Sequence, residues 1–299
     1  MSTQKTDQLH RFLFSEAHIR GELVQLSESV KAMLDTKAYP PCLQTLLSEM
    51  MLATSLLTAT LKFEGEISLQ LQCEEGALKY ALINGNHQQQ LRGIARWDGE
   101  LSDESFSEIV GKKGVLAITI MPKKGQQYQG IVALDKPSLA ECLKGYFEQS
   151  EQLATEIVLH TLMTEKEVKA AGMLLQALPQ SDTSHQKQND TFEHVAHLTK
   201  TITKAEITEL PVEEILHRLY HQEEVRLFDP VDVSFSCTCS QEKVNQAIAS
   251  LPTEEVRNLL DERGKISTSC QYCFAEYKFT EEDFQNILGD AQPNSSKLH

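Results

Sequence analysis

Basic charge is scarce in this sequence. Its 28 lysines and arginines face 43 aspartates and glutamates, for a formal charge of −15. The shortage runs the whole length: 17 basic against 22 acidic residues in 1–178, 5 against 11 in 179–236, and 6 against 10 in 237–299. No basic stripe is present to release counterions from a phosphate backbone, so nucleic acid is not expected as a partner. Long apolar runs are also missing. The best of them, residues 50–61 (MMLATSLLTATL), is 12 residues long and follows Glu49. A spanning helix needs about 20, so a buried core helix is expected there and a membrane partner is not. The opening MSTQKTDQLH has no apolar stretch of the secretory kind, which points to the cytoplasm. The chain also lacks a G-x-G-x-x-G turn, a Walker loop and a nucleophile elbow; it is not expected to be an enzyme.

What is there is ordinary globular material, 40% hydrophobic and 24% charged over 299 residues. That length supports one sizeable core and a satellite domain. An α+β fold in three segments is expected, beginning with a mixed α/β N-terminal core domain over residues 1–178. Alternation predicts strands at 9–14 and 19–26. A helix is predicted over 43–63, opened by Pro40-Pro41, where a missing N–H is harmless. Strands at 66–73 and 78–83 turn at Glu75-Gly76, and Asn84-Gly85-Asn86 is a strong tight-turn signal. Residues 114–121 and 128–134 form a second hairpin around Lys124-Gly125. Ser138 and Glu141 predict a capping box for a helix through Phe147, and strands follow near 153–161 and 173–178.

Residues 179–190 (PQSDTSHQKQND) contain no hydrophobic residue and read as a flexible connector. Helices predicted at 192–201 and 211–220 have modest apolar faces and lengths that are marginal in isolation. Residues 179–236 therefore read as a metastable helical linker that needs something to dock against.

The last segment, 237–299, starts with the sharpest signal. C-T-C at Cys237 and Cys239 is followed by 30 residues and then C-Q-Y-C at Cys270 and Cys273. In a reducing compartment such clusters are metal ligands or redox sensors rather than structural disulfides. Four soft thiolates match a closed tetrahedral zinc site, one Zn2+ per chain. C-x-x-C lets both sulfurs turn to one ion, and residues two apart on an extended strand share a face. Helices predicted at 241–251 and 253–261, the second capped by Thr253, bring few large apolar residues. Metal must then supply much of the folding energy, and structural zinc in small peptides is worth roughly 10–16 kcal/mol. Two uses stay open on this reading. One is a permanent structural zinc ribbon. The other is a switch, since thiolates are what oxidants attack and losing ligands would unfold the segment.

The chain also resembles a known family, the 33-kDa chaperonin, a redox-regulated heat-shock holdase of bacteria, from about residue 9 to 284. The resemblance is carried by the cysteine quartet preceded by Asp229-Pro230-Val231-Asp232-Val233-Ser234-Phe235. It is carried further by Asn84-Gly85-Asn86 with Arg92-Gly93, by residues 146–152 (YFEQSEQ), by 171–176 (AGMLLQ), and by Arg218-Leu219-Tyr220-His221. The resemblance implies that the four cysteines hold zinc in a reduced, inactive state. It implies that oxidation pairs Cys237 with Cys239 and Cys270 with Cys273 and expels zinc. The linker would then unfold and expose apolar surface, a homodimer would form, and unfolding client proteins would be held without ATP. Two positions depart from the pattern: Ala154 replaces the usual Pro, and Ala171-Gly172 is one Gly short.

The remaining cysteines, Cys42, Cys73 and Cys142, fall among apolar neighbours and read as buried structural thiols. His194/His197 and His217/His221 have helical spacing but no carboxylate pattern, and read as solvated helix faces. The rival functions are a constitutive zinc-ribbon RNA-binding or RNA-modifying protein and a thiol-disulfide oxidoreductase, the latter needing one C-x-x-C at a helix N-terminus.

Overall fold

Strands that alternate buried and exposed residues build two large sheets, antiparallel except for one short parallel pair, and a separate two-stranded hairpin in the computed structural model. It describes residues 6–61, 64–164, 167–179 and 185–284. The expected helix end at Phe63, residues 180–184 of the connector, and the tail 285–299 of the last segment lie outside the described residues.

In chain order come β1 (Gln8–Phe14), β2 (Ile19–Leu26), α1 (Glu28–Leu34), α2 (Pro41–Thr60), β3 (Gly65–Gln72) and β4 (Leu78–Asn86). Next are β5 (Gln90–Trp97), α3 (Phe106–Val110), β6 (Val115–Pro122), β7 (Tyr128–Ala133) and α4 (Leu139–Tyr146). A π-helical turn, Phe147–Glu151, leads into β8 (Thr155–Met163) and β9 (Val168–Ala177). Three helices follow, α5 (His185–Lys200), α6 (Lys204–Glu209) and α7 (Val212–Tyr220), then the short strands β10 (Val225–Leu227), β11 (Val231–Asp232) and β12 (Ser234–Phe235). The last stretch contains α8 (Gln241–Ala249), α9 (Thr253–Arg263), β13 (Ile266–Ser269), β14 (Glu276–Phe279) and a 3-10 turn, Glu281–Phe284. The chain divides into two compact units, Met1–Ser236 and Cys237–His299.

One sheet runs β10-β1-β2-β9-β8, with β11 also on β1; the other runs β12-β5-β4-β3-β6-β7. α2 is apolar nearly all round, as expected of a helix with no wet face, and it packs against both sheets. Its hydropathy and 20-residue length match a membrane span, but 78% of that window is buried inside the protein. Around it one cluster joins Val24, Leu26 and Leu174 of the first sheet to Ile67, Leu69, Ile83 and Leu91 of the second.

The opposite face of the first sheet is equally apolar. Phe12, Phe14, Ile19, Leu23, Met173 and Leu175 point there, and α5 to α7 cover them with Val195, Ile207, Val212, Ile215, Leu216 and Tyr220. Each such side chain contributes about 1.5–3 kcal/mol on full burial. Polar ties add direction: Gln25 Nε2 donates to the carbonyls of Ile207 (2.8 Å) and Leu210 (2.9 Å), and Gln188 Nε2 donates to those of His18 (3.2 Å) and Leu178 (2.9 Å). The helices of 179–236 therefore dock on the sheet within the first unit.

Three local expectations are corrected. Asn84-Gly85-Asn86 is not a turn but the end of β4, with Gly85 opposite Ile67 and Leu91. A Cβ on Gly85 would lie 2.6 Å from Leu91 Cδ2 and 2.9 Å from Thr54 Cγ2, so the glycine serves close packing of α2. The reversal falls at 87–89 instead, where Gln89 takes φ +56°. Residues 185–190 are helical rather than a connector, because Gln188 is anchored as above. Thr253 is the first residue of α9 rather than its cap, which is Pro252.

Candidate metal centre

Within the second unit the two cysteine pairs are presented by different devices. Cys237-Thr238-Cys239 is irregular backbone, not the expected extended strand. Lys243 Nζ donates to the Thr238 carbonyl at 2.9 Å, and Ser240 caps α8 by accepting from the Lys243 amide at 3.2 Å. Both bonds fold the loop against the first turn of α8. Cys270 and Cys273 sit at the tip of the β13–β14 hairpin. There the Cys270 amide donates to the Ala275 carbonyl and the Phe274 amide to the Cys270 carbonyl, both at 2.9 Å, with Phe274 at φ +57°. The Tyr272 amide points at Cys270 Sγ, 3.4 Å away. Beneath the hairpin Val256, Leu260, Ile266, Phe279 and Phe284 form a small apolar cluster.

All four sulfurs lie within 4.8 Å of one another, and all four residues are half-buried. The short separations run across the two halves, Cys237 to Cys270 at 3.5 Å and Cys239 to Cys273 at 3.4 Å. A tetrahedron with metal–sulfur bonds of about 2.3 Å has edges of about 3.8 Å. The donor set and its spacing therefore fit one tetrahedral soft-metal ion. Among the described residues no other group of His, Cys, Asp or Glu has metal-ligand spacing.

The sulfurs are not electrostatically equal. Burial pushes the Cys237 thiol up to about 12 and raises Cys273 as well. Burial also opposes ionisation of Cys239, but the Tyr277 hydroxyl, donating at 3.0 Å, and the adjacent thiols bring it down to about 7. That bond to Cys239 in turn drives Tyr277 up to about 12. One sulfur is thus poised as a thiolate, and a bound dication would deprotonate the others. Tyr277 and Lys243 support the ligands, yet no spacing rule in the sequence marks them.

The other thiols stand apart. Cys42, Cys73 and Cys142 are buried in the first unit, and burial raises each of them, Cys73 to about 11. His194, His197, His217 and His221 are exposed on α5 and at the end of α7.

A family model described as Hsp33 protein matches residues 7–280. The chain belongs to the Hsp33 family. Two curated Hsp33 relatives, both named 33 kDa chaperonin, are 53% identical to it. One is from Pseudoalteromonas atlantica, aligned over 94% of this chain and 95% of its own. The other is from Shewanella sp. strain W3-18-1, aligned over 96% and 97%. A crystal structure of the Thermotoga maritima 33 kDa chaperonin superposes with a TM-score of 0.79 over 95% of this chain and 98% of that one. At 19% identity that likeness speaks for the fold, and it agrees with the α+β architecture expected of the sequence. Hsp33 membership places the chain among chaperones of the heat-shock class, and its four-cysteine cluster fits zinc binding and redox-active disulfides.

Proposed function

We propose that this Hsp33-family protein is a redox-regulated, ATP-independent holdase. The single observation that carries the proposal is the convergence of Cys237, Cys239, Cys270 and Cys273 on one metal-sized volume. The three working segments are the core domain 1–178, a metastable helical linker 179–236 and a redox-switch domain 237–299. Zinc bound there, one per chain, would hold four thiolates in a closed tetrahedron and tie the two halves of the switch domain together.

In the reduced state the thiolates act as ligands and the protein rests. On oxidation Cys237 pairs with Cys239 and Cys270 with Cys273. Each new S–S bond releases two electrons from its thiolate pair to hydrogen peroxide, whose O–O bond breaks and, with two protons from solvent, gives two water molecules. Disulfide sulfurs are poor ligands, so the four cysteines would no longer hold a zinc ion. Among its described residues the switch domain is then held by the small apolar cluster around Val256, Phe279 and Phe284, and it loosens. The linker then leaves the sheet face bearing Phe12, Phe14, Leu23, Met173 and Leu175, which becomes available to unfolding client proteins and prevents their aggregation. Homodimerisation accompanies activation, and the working compartment is the cytoplasm. A constitutive RNA-binding zinc ribbon finds no support in the acidic charge of every segment or in the relatives' name.

Zinc release followed with a colorimetric chelator during peroxide titration, beside light scattering of a heat-denatured client, tests this directly. The two curves should rise together. Equal activity of the reduced, zinc-loaded protein would sink the proposal.

A further inference from the structure

The tether between α7 and Cys237 closes two sheet edges with very little chain. β10 and β11 lie antiparallel on β1, with Leu227 opposite Phe12 and Val231 opposite Leu9. β12 lies parallel on β5, with Ser234 opposite Gln90 and Phe235 opposite Leu91. Around these short ladders the amides of Phe228 and Val233 donate to the carbonyls of Arg11 (2.9 Å) and Asp7 (2.8 Å). Those of Ser234 and Ser236 donate to the carbonyls of Gln89 (3.0 Å) and Leu91 (2.9 Å). Among the described residues no other strand lies outside β1 or β5 on these sides of the two sheets.

The tether's side chains alternate as those of a bound strand do. Val231, Val233 and Phe235 are buried or half-buried, whereas Asp232 and Ser234 are exposed. Val233 and Phe235 join the central apolar cluster around α2. What occupies the two edges is therefore an extended peptide, apolar at every second position and held chiefly through its main chain.

We infer that the edges of β1 and β5 are docking sites for extended segments of unfolding proteins, and that residues 225–236 fill them in the resting molecule as an internal stand-in. This rests on the holdase reading above, which frees the tether together with the linker. An open edge presents unpaired N–H and C=O groups and is a template for another strand. Strand addition draws its affinity from main-chain hydrogen bonds, which every polypeptide can make, and its selectivity from pockets at alternate positions. An unfolding protein offers free backbone and alternating apolar residues. A folded protein has already used its backbone. The site thus accepts many sequences and still distinguishes the unfolded state.

The test uses the full-length oxidised protein, reduced carboxymethylated lactalbumin as a permanently unfolded client, and two synthetic peptides of residues 229–236 (DPVDVSFS). One peptide is native, and the other is N-methylated at the amides corresponding to Ser234 and Ser236. Hydrogen exchange is read at Gln8–Phe14 and Gln90–Trp97. Oxidation should speed exchange at the outward amides of both strands at least tenfold, and lactalbumin should restore their protection. The native peptide should displace lactalbumin, with the methylated one about tenfold weaker, the order of two lost main-chain bonds. Equal competition by the two peptides, or client bound while both edges stay unprotected, overturns the inference. Protection that returns on dimerisation without client gives the edges to a second copy and overturns it too. Failure to release zinc or suppress scattering is a separate readout, and it removes the holdase reading on which the inference stands.

Discussion

Tyr220 is the side chain whose removal should most directly show whether linker docking controls activation. It ends α7, is 2% exposed, and packs its ring edge-on to Phe14 at 4.9 Å and tilted to Phe12 at 6.2 Å. Its hydroxyl shares a 2.6 Å hydrogen bond with Thr199 of α5 and lies 3.3 Å from Met173 Sδ on β9. One residue therefore joins two linker helices to two strands. Tyr220→Ala leaves an aromatic-sized cavity and should cost about 3–5 kcal/mol. Tyr220→Phe keeps the ring and loses the hydroxyl's contacts with Thr199 and Met173 Sδ, about 1 kcal/mol in all, while Thr199 still donates to the Val195 carbonyl at 2.7 Å. If α5 to α7 open as a unit, these costs multiply the open fraction by roughly 100-fold or more for Ala and about 5-fold for Phe. Native-state hydrogen exchange of the reduced, zinc-loaded protein should rank α5 and α7 amides Ala, then Phe, then parent, fastest first. The peroxide dose for half-maximal suppression of scattering should fall in the same order. Unchanged exchange in α5 and α7, or faster exchange with an unmoved oxidant threshold, would refute the reasoning.

Other outcomes follow from the metal centre and from one buried acid. Cys273→Ser should lower bound zinc from one per chain to near zero by atomic absorption and loosen α8 and α9 by circular dichroism. Tyr277→Phe removes the hydroxyl that donates to Cys239 and should weaken zinc binding about tenfold in chelator competition, the scale of outer-shell support. Cys142→Ser should leave the zinc-release curve superimposed on the parent's, because that thiol is buried among apolar groups. Glu22 is held up to about 7 from 4.5 by burial, with Arg20 and Arg11 pulling it back. A carboxyl raised in the folded state contributes fully below its unfolded value and loses that contribution as pH climbs through the folded one. Glu22→Gln should therefore change urea midpoints little near pH 5 and raise stability at pH 8 by up to about 3 kcal/mol. Equal effects at the two pH values would contradict it.

The quartet was legible because cysteine chemistry is stated by residue type and spacing alone. Strands β1 and β2 were legible from alternation, and α2 from an apolar run too long for a strand. The Asn84-Gly85 signal misled for a physical reason. Glycine answers equally to a turn and to a crowded neighbour, and only the approach of Thr54 on α2 decides between them. The strand expected near 173–178 begins at Val168, five residues earlier, because Ala170, Ala171 and Gly172 carry weak strand preference. The polar stretch 185–190 could not announce a helix, since what holds it is Gln188 reaching carbonyls on other elements. β10, β11 and β12 are two or three residues long and exist only because β1 and β5 have edges to offer. β2 and β9 are buried on both faces, and the cover of the second face by α5 to α7 is a tertiary contact that strand sequence alone does not state.

The cysteine spacing also acts on the topology of the chain. A single ion gripping Cys239 and Cys270 would close a loop over the 30 residues between them. A closure of that length withholds about 3–4 kcal/mol of chain entropy from the unfolded state. Bonds made inside each pair close only tiny rings and return that freedom to the intervening segment. Bonds made across the halves would have kept it shut. The same four sulfurs can thus clasp a long loop or let it go, depending only on which neighbours they choose.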